Sequence, residues 1–195
     1  MVGFNRRFAP HMLETKRLLA KRSEAVSIII TVNAGHIPSD HWTQDRKVGG
    51  GRIIGEACHF IDLARFLAGT AIERAAATKL RGSGAGCDDS ITMVLGFANG
   101  SHASIQYLAN GSKAFPKERV ELFCGGGILQ IDNFRKMRGF GWPGFSKMNL
   151  WSQDKGHQAC MKAFLDSLAQ GAEAPIPAEE IFEVSDWTLK VAEML

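Results

Sequence analysis

Apolar residues recur along this chain in two rhythms, and the change between them near residue 69 divides it. From residue 53 to 68 the rhythm is helical. At about 100° per residue, Ile53, Ala57, Phe60, Ile61, Ala64, Leu67 and Ala68 share one stripe, the pattern of a helix laid on a core. Gly69 follows as a residue suited to end the helix in a left-handed cap. The other side carries Arg52, Gly55, Glu56, His59, Asp62, Leu63 and Phe66. A solvated face would not need Leu63 and Phe66, so this side is expected to meet a ligand or another domain, with His59 as its chemical centre. Upstream, residues 11–21 predict a first helix, with Pro10 tolerated at its start and Met12, Leu13, Leu18 and Leu19 available to the core. Residues 23–32 are rich in β-branched side chains and read as a buried strand.

After residue 69 the rhythm shortens to that of strands. Runs at 72–81, 90–98, 101–108, 118–124 and 128–132 are separated by turn signals: GSGAG at 82–86, Asn99-Gly100, Asn110-Gly111 and Gly125 to Gly127. Asn99-Gly100 is the clearest hairpin. Consecutive strands joined by tight turns make an antiparallel meander, which excludes a doubly wound parallel sheet. Residues 133–149 read as a loop in which Arg135, Lys136, Arg138, Phe140, Trp142 and Phe145 stand among glycines. Its aromatics are expected to pack on the sheet or on a partner subunit; stacking on nucleic-acid bases is the other reading such a mixture allows. Two helices, 154–170 and 178–195, finish the chain on either side of Pro175 and Pro177. His157 shares an apolar stripe with Cys160, Met161, Phe164, Leu165 and Leu168 and is expected to be a core histidine.

Composition narrows this picture without redirecting it. At 195 residues one substantial core is expected. No apolar run approaches the ~18 residues of a membrane span, so no membrane partner is expected. A formal charge of +3 with scattered basic residues gives no concentrated polyanion site. Cys58, Cys87, Cys124 and Cys160 form no C-x-x-C pair, so neither a metal knuckle nor a redox dithiol is suggested. They read as reduced thiols of a cytoplasmic protein.

The chemistry available is acid and base chemistry. The glycines at 49–51 do not spell G-x-G-x-x-G and follow a polar loop instead of a strand; those at 125–127 lie between strands. No G-x-S-x-G, P-loop or H-E-x-x-H occurs. What remains is His59, with Glu56 at i−3 and Asp62 at i+3. A carboxylate beside an imidazole favours its protonated form and fixes its tautomer, which suits a general acid/base; ordinary ion pairs on a helix are the plainer reading. The loop at 33–47 holds His36, His41 and Trp42. Either it touches substrate, or Trp42 plugs the rim of the core while the histidines face solvent.

The succession GFNRRFAP, a β-run, NAGHIPSDHW, GGGRIIGEACHFIDLARFLAG, a meander with DNF at 132–134, and HQACMKAFLDSL followed by PIPAEEIFE resembles the C-terminal domain of the Gfo/Idh/MocA oxidoreductases over nearly the whole chain. That resemblance implies an α+β, dihydrodipicolinate-reductase-like fold: an open, mostly antiparallel sheet with helices on one face. It implies a substrate-binding and oligomerisation domain of an oxidoreductase acting on a hydroxyl of a sugar, cyclitol or sugar derivative. NAD or NADP would be bound mainly by an N-terminal Rossmann domain absent from this chain, so turnover by the chain alone is not expected. The open sheet face would join a homo-oligomer. His59 matches the family histidine that acts on the substrate hydroxyl. Many members carry an aspartate four residues earlier, where Gly55 stands here, and Glu56 is adjacent. Substrate would be met by His36, His41, Trp42, Arg52 and Gly55, with no metal. The missing domain, substrate or a neighbouring subunit would cover Leu63 and Phe66. The GEACHFIDL form is similar to the branch fused to a zinc-type alcohol dehydrogenase region. The alternative is a non-catalytic binding or assembly module built on the same fold.

Overall fold

In the computed structural model, which describes residues 1–45, 47–82 and 89–195, the strand-forming runs join one eight-stranded sheet whose first strand lies inside it, not at an edge. The strands are β1 (Ser27–Asn33), β2 (Ile72–Lys79), β3 (Ile91–Phe97), β4 (His102–Leu108), β5 (Glu118–Cys124), β6 (Gly127–Asp132), β7 (Lys136–Phe140) and β8 (Lys147–Asn149). Their order is β2-β3-β4-β1-β5-β6-β7-β8. β1 runs parallel to β4 and antiparallel to β5, and every other pair is antiparallel. The expected meander is therefore two meanders, β2–β4 and β5–β8, stitched together by β1. The GSGAG turn signal and Cys87 fall largely or wholly outside the described residues.

Alternation explains the two faces of the sheet. Ile28, Ile30 and Val32 of β1, Ala103, Ile105 and Tyr107 of β4 and Val120 and Leu122 of β5 are all buried, as period-2 geometry requires of one face. On that side lie the helices α1 (Pro10–Leu19), α2 (Cys58–Ala68), α3 (His157–Gln170) and α4 (Ala178–Glu193): α2 packs against β4, α4 against α2 and β2, α1 against α2, and α3 against the 3-10 turn Asn5–Phe8. The open face carries Ile29, Val94, Phe123 and Phe140, each more than a third exposed.

Three expectations are corrected. Residues 136–140 and 147–149 are strands, not loop, because Met137 and Met148 cross-pair beneath a glycine-rich return; Trp142 and Phe145 do pack back on the sheet, with the Trp142 indole donating to the Ile128 carbonyl at 3.0 Å. Leu13, Met161, Leu165 and Leu168 are exposed, since α1 and α3 each touch the core along a narrower stripe than their composition allows. Leu63 is fully buried by the chain itself, and Phe66 is packed at the core's edge beneath the Arg7 and Lys16 cations. Both sides of α2 are thus largely covered without any second domain.

Candidate active site

The site is built where α2 begins, and its start is irregular. Gly49 can be nothing larger, since a Cβ there would lie 2.6 Å from the Thr43 Cα and the Trp42 carbonyl. This close approach folds the 34–48 loop onto the helix entrance. A π-turn, Ile53–Ala57, then precedes α2, with the Cys58 N–H reaching back five residues to the Ile53 carbonyl. Such widened turns concentrate at functional sites. Here the turn presents Gly55 and Ile54 to solvent and brings Glu56 half into view.

Glu56 is held from two sides. The Tyr107 hydroxyl, at the end of β4, donates to its Oε2 at 2.7 Å, and Arg52 lies 3.3 Å from the same oxygen. Burial works to raise the pKa of this carboxyl, but the Tyr107 bond and the Arg52 charge outweigh it, so the pKa of Glu56 lies below the usual carboxylate range and the group is ionised at neutral pH. Tyr107 is pushed upward in turn, first by burial and then by Glu56, and remains a neutral donor.

His59 is half-buried one turn on. Its ring meets Phe4 edge-on with centroids 5.8 Å apart, and its Nδ1 is enclosed with no hydrogen-bond partner among the described residues. Nε2 is left as the nitrogen able to meet a substrate. Burial chiefly, and the Arg6 cation after it, bring its pKa down to about 4; Glu118 and Glu56 pull the other way, and His157 adds to the depression. At neutral pH the imidazole is uncharged. The expectation that a flanking carboxylate protonates it is therefore corrected: Asp62 turns away into the core, where Arg7 binds it through Nε at 2.8 and 2.9 Å. Cys58, alongside, is pushed up to about 11 mainly by burial and is a packed thiol, not a nucleophile.

Beneath His59 three distant segments meet in one buried cluster. Glu118 accepts from Arg6 at 2.8 and 2.9 Å and from Lys155 at 2.6 Å, while Arg6 lies over the Phe60 ring at 4.5 Å. His157, expected in the core, is exposed at the start of α3 and close enough to His59 to influence its charge. Glu118, Tyr107, Arg6 and Lys155 escaped the sequence reading. Strand parity carried the signal for two of them: Glu118 shares a face with Val120 and Leu122, and Tyr107 with Ile105, so each is a polar group on an inward position.

The loop residues stand apart. His36, His41 and Trp42 are exposed, with Trp42 at 62%, so Trp42 does not plug the core rim, and none bonds to the His59 group among the described residues. The His41 and Trp42 rings meet at a tilt of 34° with centroids 5.9 Å apart. Arg52 is 2% exposed; it donates to the Gly35 carbonyl at 2.6 Å as well as to Glu56. It ties the loop to the acid instead of offering a free cation to a ligand.

The described residues do not form a dinucleotide site. Gly125 and Gly126 sit in the β5–β6 hairpin, and the 49–51 turn is separated from β1 by the whole 34–48 loop; neither leads a parallel strand directly into a helix N-terminus as pyrophosphate binding requires. Among the described residues no group of His, Cys, Asp or Glu could hold a metal ion, and no helix is long and apolar enough to cross a membrane.

Comparison with known proteins gives the family and the fold. Residues 22–130 match the model of the GFO/IDH/MocA C-terminal domain. The chain is 26% identical over 188 residues to inositol 2-dehydrogenase of Rhizobium meliloti, covering 89% of this chain and 56% of that protein; it thus spans little more than half of that relative. Among solved structures it is similar to an oxidoreductase domain protein from Kribbella flavida (TM-score 0.82, 15% identity, 100% of this chain and 63% of that one). It is also similar to levoglucosan dehydrogenase in complex with NADH (TM-score 0.80, 18% identity, 100% and 63%), and to the UDP-N-acetylglucosamine 3-dehydrogenase of Acidithiobacillus ferrooxidans (TM-score 0.78, 17% identity, 99% and 60%).

Proposed function

Because this chain belongs to the GFO/IDH/MocA family and carries its C-terminal domain, we propose that it binds the substrate, and carries the proton-transfer group, of an NAD(P)-dependent oxidoreductase acting on a hydroxyl of a sugar, cyclitol or sugar derivative. The observation that carries this reading is the state of His59: a half-buried, uncharged imidazole with one nitrogen enclosed, beside a carboxylate fixed by two partners. A neutral imidazole can accept the proton of a substrate hydroxyl as that carbon is oxidised, and return it in the reverse direction. Glu56 stabilises the imidazolium so formed, while Tyr107 and Arg52 hold Glu56 in place. His36, His41 and Trp42 offer an aromatic and hydrogen-bonding edge for a polyol, and exposed Gly55 leaves room beside it.

The dinucleotide, NAD or NADP, would be bound mainly by an N-terminal Rossmann domain; the levoglucosan dehydrogenase to which the chain is similar is solved with NADH, and the chain spans 63% of it. The apolar side chains of the open sheet face, Ile29, Val94, Phe123 and Phe140, suit contact with a second copy.

The test is steady-state kinetics of the intact enzyme with a panel of cyclitols and sugars. His59→Asn is expected to lower kcat by about 10²–10⁴, the usual contribution of a general acid/base, with KM little changed. A loss under about twofold would instead favour a non-catalytic binding or assembly module.

A further inference from the structure

The segment that leads from β8 into α3 is caught at almost every residue. The Gln153 side-chain amide donates to the Asn133 carbonyl at 2.8 Å, and the Asp154 N–H to the Phe134 carbonyl at 3.1 Å. Asn133 and the buried Phe134, which supply those carbonyls, both hold φ at 51°, a left-handed conformation that is a strain for a bulky aromatic. Lys155 is held at both ends: its carbonyl accepts from the Asn5 side chain at 2.7 Å, and its Nζ donates to Glu118 at 2.6 Å. Gly156 is then wedged against the Asn5–Phe8 turn. Its φ is 80°, and a Cβ there would lie 2.5 Å from the Asn5 carbonyl oxygen and the Ala9 nitrogen; its N–H donates to the Asp154 carboxylate at 2.7 Å.

Packing does not call for this fixation. α3 begins at once, yet it buries only Cys160, and Met161, Leu165 and Leu168 stay exposed. What the fixation sets is the first side chain of the helix, His157, which is exposed and has no hydrogen-bond or ion-pair partner among the described residues. The same segment is tied to the His59 site. Phe4 meets the His59 ring while its neighbour Asn5 holds Lys155, and His157 is near enough to disfavour a charge on His59. No hydrogen bond joins the two imidazoles among the described residues, so both are left to meet a ligand. Strain and steric restriction concentrated around a side chain that the core does not use are the local conflicts that collect at functional sites.

We propose that His157 is a specificity residue of this site: it hydrogen-bonds the substrate hydroxyl next to the one that His59 deprotonates, so that the site selects a vicinal diol over an isolated alcohol. This rests on the acid/base role of His59 stated above. An imidazole offers a hydrogen-bonding nitrogen at either side of its ring, and two imidazoles on two adjacent oxygens fix which hydroxyl reaches His59 and which carbon faces the hydride acceptor.

The full chain, its histidine rings labelled with nitrogen-15, would be titrated with D-glucose, cis-cyclohexane-1,2-diol and cyclohexanol and followed by NMR. The two diols are expected to shift the His59 and His157 rings along one saturation curve, and cyclohexanol to leave His157 unmoved. In the intact enzyme, His157→Leu is expected to raise KM for the polyol turned over fastest in the kinetic panel by about five- to tenfold, the worth of one lost hydrogen bond, with kcat changed by under about twofold. His157→Gln, which keeps a donor and an acceptor, is expected to recover most of that loss. Both variants are expected to melt with the unaltered chain, since the side chain is exposed. A response of His59 to the diols without one of His157 would overturn the proposal and leave the acid/base reading standing. A response of both rings combined with a loss under about twofold in His59→Asn would overturn the acid/base reading and leave a diol site without chemistry. No response of either ring, an equal response to cyclohexanol, an unchanged KM in His157→Leu, or a kcat loss restored by free imidazole, the mark of a proton relay, would each overturn the proposal as well.

Discussion

Glu56 and Asp62 stand three residues either side of His59 on one helical segment, and they end in opposite environments. Asp62 has a side chain 1% exposed and is bound by Arg7; Glu56 has one 32% exposed, held by Tyr107 and Arg52. Spacing makes both candidates for an imidazole pair, but such helical pairs are worth only about 0.2–0.5 kcal/mol. A carboxylate carried into the core without a partner is disfavoured by several kcal/mol. The larger effect decides: Asp62 takes Arg7, one of the two cations the N-terminal turn delivers, and the carboxylate that stays at the surface is the one left for chemistry. The two acids teach that position on a helix settles what can be reached, and burial settles what is chosen.

The sharpest way to break that comparison is to remove each acid in turn. Asp62→Ala strands the Arg7 guanidinium, whose side chain is 6% exposed. Glu180 still pairs with Arg7, so the loss is expected at the low end of the range for breaking a buried pair, about 3 kcal/mol in urea unfolding. Glu56→Gln keeps the Tyr107 bond and is expected to change stability by under about 1 kcal/mol. If the two losses came out equal, the division into a structural and a chemical acid would be wrong.

Acidity tests the same division more gently. His59 has its pKa brought down to about 4 by burial and Arg6, against about 6.5 in the unfolded chain. Between those values the unfolded state holds more protons, so stability is fully present above about pH 6.5 and falls as pH drops toward 4, by at most about 1.4 kcal/mol per unit. His11, lowered by burial, acts in the same direction. Asp62, raised to about 6 by burial against Arg7, acts in the opposite one: its folded form takes up a proton first, so acidification through that window favours folding. His59→Asn is therefore expected to flatten or invert the acid-side slope of melting temperature against pH. A slope identical to that of the unaltered chain would mean that His59 is not the buried, neutral group described above.

How much of this could be read from the residues follows the same logic. Elements with their own rhythm were legible: α2 ends at Gly69 in a left-handed cap as expected, and β3 and β4 turn at Asn99-Gly100. The site was half legible. His59 and Glu56 share a helix, and one helix is a local fact. Arg6 lies 112 positions from Glu118 and Lys155 lies 37 from it, and only the tertiary fold brings the three together. β7 and β8 were missed because Gly139, Gly141 and Gly144 read as loop, whereas Gly139 is a strand residue whose missing side chain makes room for Phe145. His157 was misread because α3 has a longer apolar stripe than the core it touches.

Gly55 gives the smallest and most discriminating change. Its φ is not in the left-handed region, it is exposed, and a Cβ there would meet only the Gly49 carbonyl at an ordinary 3.5 Å. Nothing in the fold demands a glycine, so Gly55→Ala is expected to raise stability by about 0.4–1 kcal/mol through the unfolded chain. If the bare backbone at this position exists to admit a polyol beside Glu56 and His59, the same change is expected to weaken sugar binding in the intact enzyme while the melting temperature rises. Gly55→Asp would add a second carboxylate near Glu56 and is expected to lift the His59 pKa above about 4, read by the pH dependence of its ring resonances. A Gly55→Ala protein that is both more stable and unimpaired in binding would place the substrate elsewhere than over the π-turn.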